Sequence, residues 1–141
     1  MNTRKQQTGA MLLEALISIL IFSIGILAII GLQAAAVKAS SDAKYRSDAS
    51  LLANQLIGQM WVSNRTAATL QANFQTGGVA YNAWLADVQS TLPMVAANPP
   101  TVVIAPVVGP TTTSSLVTIT LFWQLPSDAS VHQYSTIVQI I

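Results

Sequence analysis

The spacing of apolar positions changes character along the chain. Residues 15–37 carry no charged side chain and are mostly Leu, Ile and Ala. At about 1.5 Å per helical residue they reach about 34 Å, enough to cross a hydrocarbon layer of about 30 Å. Gly25 and Gly31 interrupt the run; glycine weakens a helix in water but is common in membrane helices. From Tyr45 the pattern becomes amphipathic: Tyr45, Ala49, Leu52, Ala53, Leu56, Ile57 and Met60 recur at helical spacing, with Lys44, Ser47, Asn54 and Gln55 elsewhere on the wheel. No proline lies between residues 40 and 60. One continuous helix over residues 10–62 is predicted, apolar all round in its first half and on one face in its second. Asp42–Arg46 and Lys44–Asp48 stand at i,i+4 and are expected to pair on a solvated face.

Beyond the helix the pattern shortens. Residues 64–81 are polar and small and include Gly77-Gly78, which predicts a loop. Asn82 is placed to cap a short helix over residues 83–92, with Trp84, Leu85, Val88 and Leu92 on one face and Pro93 as the stop. Four prolines between Pro99 and Pro110 confine any strand there to a short or edge position. In "SLVTITLFWQL" Val117, Ile119, Leu121, Trp123 and Leu125 fall on one face and Thr118, Thr120 and Gln124 on the other, the period of a half-buried strand. Pro126-Ser127-Asp128 is a turn, and "HQYSTIVQII" reads as a second strand antiparallel to the first. The predicted fold class is α+β: a long N-terminal helix carrying a small antiparallel sheet of three or four strands.

Composition narrows the function. Of 141 residues only 8% are charged and the net charge is +1, which argues against a nucleic-acid partner. The chain has no cysteine, so disulfides and thiolate metal sites are excluded. A small extracytoplasmic domain without disulfides takes stability from elsewhere, such as neighbouring subunits. No catalytic constellation appears: His132 stands alone and reads as strand surface, acids are too few for a carboxylate pair, and Gly77-Gly78 lacks the Lys-Ser/Thr of a phosphate loop. Trp61, Trp84 and Trp123 read as core or interface residues. No enzyme activity, cofactor or metal is expected. A secretory signal fits poorly, because its apolar region is about 7–15 residues long and ends at a small-residue cleavage site, whereas no polar boundary appears here before Lys38.

One acid contradicts the apolar pattern. Glu14 stands at the front of the run, and a lone carboxylate in apolar surroundings either protonates or finds a cation. "TGAMLLEALISILIFSIGILAIIGLQ" resembles the N-terminus of type IV pilins and of the pseudopilins of type II secretion. Their signature is a short basic leader ending in Gly, an apolar stretch, and Glu at the fifth mature position; Arg4, Lys5, Gly9, Ala10 and Glu14 fit it, with Ala10 where the family usually has Phe. "YRSDASLLANQLIGQMWVSNR", "YNAWLADVQSTLP" and "TITLFW" are similar to minor pilins of the type IV pilus modification (PilV) kind.

The resemblance implies cleavage between Gly9 and Ala10 by prepilin peptidase and methylation of the new Ala10 amine. It implies that Glu14 assists assembly by meeting the N-terminal amine of a neighbouring subunit, while the i,i+4 spacing to Ala10 also permits an intrachain pair. The implied organisation is a leader over residues 1–9, a transmembrane or filament-core half-helix over 10–37, an amphipathic half-helix over 38–62 and a small periplasmic α+β domain over 63–141. The short basic leader is expected to stay in the cytoplasm, making the chain a single-pass protein of the bacterial inner membrane. Implied partners are prepilin peptidase, other minor and major pilins and the pilus assembly machinery. The expected role is to initiate or modify pilus assembly, in the service of adhesion or motility. Two alternatives stand beside it: a minor pseudopilin of a type II secretion system, and a single-span membrane-anchored binding protein that forms no filament.

Overall fold

A computed structural model describes residues 8–109, 113–126 and 128–141. The chain forms two compact units, residues 1–41 and 42–141. The longest element, α1 (Thr8–Val62), is a single α-helix of 55 residues that contributes to both. It contains no proline, so no backbone donor is lost along its length.

In the second unit α1 turns one face inward. Ala49, Leu52, Ala53, Leu56 and Met60 are buried, and Tyr45 and Ile57 pack at the margin. The helix closes where the Ser63 N–H and hydroxyl both donate to the Met60 carbonyl, at 3.3 and 2.9 Å. The Asn64 side chain then accepts from the Thr66 N–H at 3.1 Å, turning the chain.

The loop expected over residues 64–81 is largely helical. A two-turn helix, α2 (Ala67–Phe74), occupies its middle and buries Leu70 and Phe74, an i,i+4 pair. Alanine-rich sequence tolerates helix well, and these two side chains supply the apolar face. Gly77, at φ 92°, and Gly78 turn the chain into α3 (Val79–Thr91). A Cβ at Gly78 would collide with the Asn73 carbonyl, so no larger residue fits without a shift. Helix α3 therefore starts earlier than Asn82, and Gly78 is its N-cap residue. The Asn82 side chain instead donates to the Gly77 carbonyl at 3.2 Å, bracing the turn from within the helix. Tyr81, Trp84, Val88 and Leu92 are buried and Leu85 lies at the edge of the core, so the predicted face is present and extends to Tyr81.

Three strands follow: β1 (Thr101–Val108), β2 (Thr113–Trp123) and β3 (His132–Ile140). They form one antiparallel sheet in the order β1-β2-β3. The proline-containing strand β1 is at an edge, as its composition requires. On the inner face Val102 and Ile104 join Val117, Ile119, Leu121, Trp123 and Ile140. Leu125 falls beyond the end of β2 and is half-buried rather than part of the strand's inner row. The turn after it is closed by the Asp128 N–H donating to the Leu125 carbonyl at 2.9 Å; Ser127 lies outside the described residues. The inner face and the buried faces of all three helices form one hydrophobic cluster. The architecture is α+β, a long N-terminal helix with a small three-stranded antiparallel sheet.

Candidate functional site

The first unit presents a chemistry unlike that of the second. Residues 9–40 of α1 are all exposed, and the large apolar side chains among them point in every direction, from Met11, Leu12 and Leu13 to Leu32 and Val37. A helix apolar all round is stable only against lipid or other apolar helices, and this one is long and apolar enough to cross a membrane. Two of its polar side chains bond back to the helix itself. The Ser18 hydroxyl donates to the Glu14 carbonyl at 2.8 Å and the Ser23 hydroxyl to the Ile19 carbonyl at 2.7 Å. Both bonds stay within the helix, which suits a medium that offers no partners. A Cβ built at Gly25 or Gly31 meets nothing within 4 Å, so no intrachain packing calls for glycine at either position.

Gly9, Ala10 and Glu14 lie in the first two turns of α1, all exposed, with Ala10 and Glu14 one helical turn apart. Glu14 is the single charged residue between Gly9 and Val37. Arg4 and Lys5 lie outside the described residues.

The second unit holds a polar cluster that sequence reasoning missed. His132 and Trp123 are register partners across β2 and β3, and their rings stack with centroids 5.8 Å apart and planes 16° from parallel. The imidazole lies between two carboxylates: Nε2 is 2.8 Å from Asp128 Oδ2, and Nδ1 is 3.2 Å from Asp42 Oδ1. Asp42 also accepts from the Trp123 indole N–H at 3.3 Å. Each ring nitrogen thus lies within bonding distance of a carboxylate oxygen. His132 is therefore not an idle strand-surface residue. Asp42 faces the sheet, and no ion pair joins it to Arg46 among the described residues. The other expected pair, Lys44–Asp48, is present at 3.1 Å. In the sequence the cluster is spread over 90 positions, and only the placement of His132 opposite Trp123 at the ends of two adjacent strands offered a clue.

The remaining aromatic polar groups serve packing. Trp84 donates from its indole to the Leu52 carbonyl of α1 at 2.9 Å, and the Tyr81 hydroxyl donates to the Pro100 carbonyl at 2.6 Å. Burial pushes the Tyr81 phenol above its ordinary range. Trp84 and Trp123 are core residues, whereas Trp61 is 41% exposed, with the Arg65 guanidinium 5.9 Å from its ring centroid. An open depression of about 400 Å³ is lined by Asn64, Arg65, Thr66, Ala67, Ser115 and Ile141; it brings together no acid–base pair. Among the described residues no group of three or more His, Cys, Asp or Glu side chains is arranged to hold a metal ion.

No protein-family model matches the chain, and neither the curated proteins nor the solved structures contain a match to it.

Proposed function

We propose that the chain is a type IV pilin-like minor subunit, held in the bacterial inner membrane by the first half of α1 and drawn into a pilus through that same half. The observation that carries the reading is the division of labour along α1. An unaccompanied, all-round apolar stretch with one acid near its start continues into a helix whose inner face belongs to the core of a small sheet domain. A helix of this kind suits two surroundings in turn, lipid before assembly and the apolar helices of neighbouring subunits after it. On this reading prepilin peptidase cleaves between Gly9 and Ala10, the Ala10 amine is methylated, and Glu14 meets the new amine of a neighbour. A carboxylate carried into an apolar filament core costs several kcal/mol unless paired, so the contact sets both register and polarity. The subunit acts with other minor and major pilins to initiate or modify the pilus.

N-terminal mass spectrometry of the protein from sheared surface fibres tests the processing step. A mature chain beginning at Ala10 with one added methyl supports the reading, and an intact Met1 start supports the membrane-anchored alternative instead. Glu14→Ala, Glu14→Leu and Glu14→Gln test assembly. All three are expected to insert and to be cleaved, because residues 15–37 suffice for membrane targeting. Each should lower the ratio of subunit in fibres to subunit in membranes, with Gln milder only if a hydrogen bond suffices. An unchanged ratio in all three removes the role given to Glu14. A deletion strain that loses secreted enzymes and keeps its pili points to the pseudopilin alternative.

A further inference from the structure

Asp42 is the first residue of the second unit and follows closely on the uncharged run of α1. The groups that meet its carboxylate come from the last residue of β2 and the first of β3: the Trp123 indole N–H at 3.3 Å and His132 Nδ1 at 3.2 Å. The connection between those strands therefore lies at the same end of the domain as Asp42. Apolar side chains on it are left uncovered. Leu125 is half-buried, Pro126 is exposed, and Val131, just before β3, is 45% exposed. The Gln124 N–H donates to the Pro93 carbonyl at 3.2 Å, which brings Met94, 52% exposed, beside them. The polar groups of the connection are spent within the domain. Asp128, the one charged residue between Trp123 and His132, lies 2.8 Å from His132 Nε2 and accepts from the Ser130 hydroxyl at 3.1 Å. The Gln124 amide donates to the Asp128 carbonyl at 2.9 Å.

We propose that this end of the sheet domain rests on the surface of the membrane that α1 crosses, with Leu125, Pro126, Val131 and Met94 set against the lipid headgroups. The inference rests on the membrane-held state proposed above for the first half of α1 and adds a second contact with the same membrane. The length of chain between the two selects lipid as the occupant. Five residues lead from Val37, the last of the uncharged run, to Asp42. They advance about 7.5 Å as α-helix and reach no more than about 18 Å by any path. The headgroup layer on each side of the hydrocarbon is about 5–8 Å deep. With the span in place, Asp42 stands at or just outside that layer, and the apolar side chains around it are the first of the domain to meet it. Apolar side chains gain by entering the boundary between headgroups and acyl chains, whereas an unengaged carboxylate would oppose entry. Here the apolar groups are uncovered and the Asp128 carboxylate is already bonded, which is the pattern such a contact requires.

The chain has no cysteine of its own, so a single introduced cysteine takes a fluorescent label at one known place. The full-length protein is labelled at Val131→Cys or at Met94→Cys, both exposed positions, and reconstituted into vesicles of phosphatidylethanolamine and phosphatidylglycerol that carry a trace of headgroup-nitroxide lipid. Val62→Cys, 88% exposed at the far end of α1, is the control, about 30 Å of helix beyond Asp42. Leu20→Cys, within the uncharged run, is read with a nitroxide on the acyl chain and reports whether the span is in the bilayer. Headgroup quenching several-fold stronger at residues 131 and 94 than at residue 62 is expected, with label emission shifted to the blue on reconstitution at the first two alone. Two labels guard against a local disturbance by either substitution. Quenching at both no stronger than at residue 62, while the label at residue 20 is quenched, overturns the proposal and leaves the membrane span standing. A label at residue 20 that the acyl-chain nitroxide does not reach overturns the span and the proposal with it.

Discussion

The second half of α1 supplies part of the core of the folded domain, which should not fold without it. A chain beginning at Asp42 retains everything in the core cluster, whereas one beginning at Arg65 lacks Ala49, Leu52, Ala53, Leu56 and Met60. Leu52, Leu56 and Met60 are almost wholly buried, and burying each such side chain is worth about 1.5–3 kcal/mol, so the three together represent about 4.5–9 kcal/mol. The Trp84 indole N–H would also lose the Leu52 carbonyl, leaving a donor unsatisfied or flooded at a cost of about 1–3 kcal/mol. A domain of this size has a total stability of about 5–15 kcal/mol. The loss therefore consumes most or all of it. Urea unfolding followed by far-UV circular dichroism should give a cooperative transition for residues 42–141 and none for residues 65–141. Leu56→Ala in the longer fragment removes one contact set and should cost about 2–5 kcal/mol, seen as a lower midpoint at an unchanged slope. A cooperative transition for the fragment from Arg65, at a midpoint near that of the longer one, would refute the reasoning and make α1 an appendage.

Tyr81→Phe removes the bond to the Pro100 carbonyl and should cost about 1 kcal/mol at neutral pH. Because burial raises the phenol above its unfolded value, its neutral form stabilises the fold below about pH 10, and that contribution is lost as the pH climbs through the folded value. Urea titrations between pH 8 and pH 11 should show the wild type losing stability at the alkaline end more steeply than Tyr81→Phe. His132→Ala leaves the Asp42 and Asp128 carboxylates without the imidazole between them and should cost about 1–2 kcal/mol, with a change in Trp123 fluorescence as its ring loses the stack. Gly78→Ala forces the α2–α3 turn apart at the Asn73 carbonyl, whereas Gly77→Ala only strains a positive φ worth about 1 kcal/mol, so thermal melts should rank Gly78→Ala as the more damaging.

What was legible in the sequence tracks how much of each signal is local. The period-2 run of β2 and the 3.6-period stripe of α1 are read within one element, and most of the residues they nominate are buried, with Tyr45, Ile57 and Leu125 only partly so. The proline content of β1 identified an edge for the same reason. Helix α2 escaped because two turns carry only two apolar anchors, Leu70 and Phe74, among small polar residues whose composition equally suits a loop. Asn82 was misread because capping chemistry also bonds to a preceding turn from inside the helix, which is how it reaches Gly77. The His132 cluster escaped because its members meet only after the sheet and α1 come together, and no local period links Asp42 to Trp123. The Asp42–Arg46 spacing was genuine but weak. An exposed i,i+4 pair is worth a few tenths of a kcal/mol, and Asp42 instead takes an indole donor and an imidazole from the sheet.

That outcome bears on where α1 changes role. The charged residues at the start of its amphipathic half do not form a uniform solvated face. Lys44 and Asp48 pair along the helix, while Asp42, the first residue of the second unit, is engaged by side chains of β2 and β3. One helix thus carries two kinds of surface without a break in its backbone, because hydrogen bonding along the helix is indifferent to its side chains. Up to Val37 they are apolar enough to cross a membrane, with Glu14 the one charge after Gly9, and from Asp42 onward one face of them joins the core of the sheet domain. The change occupies little more than one turn, and just beyond it Asp42 bonds to the Trp123 indole and the His132 imidazole.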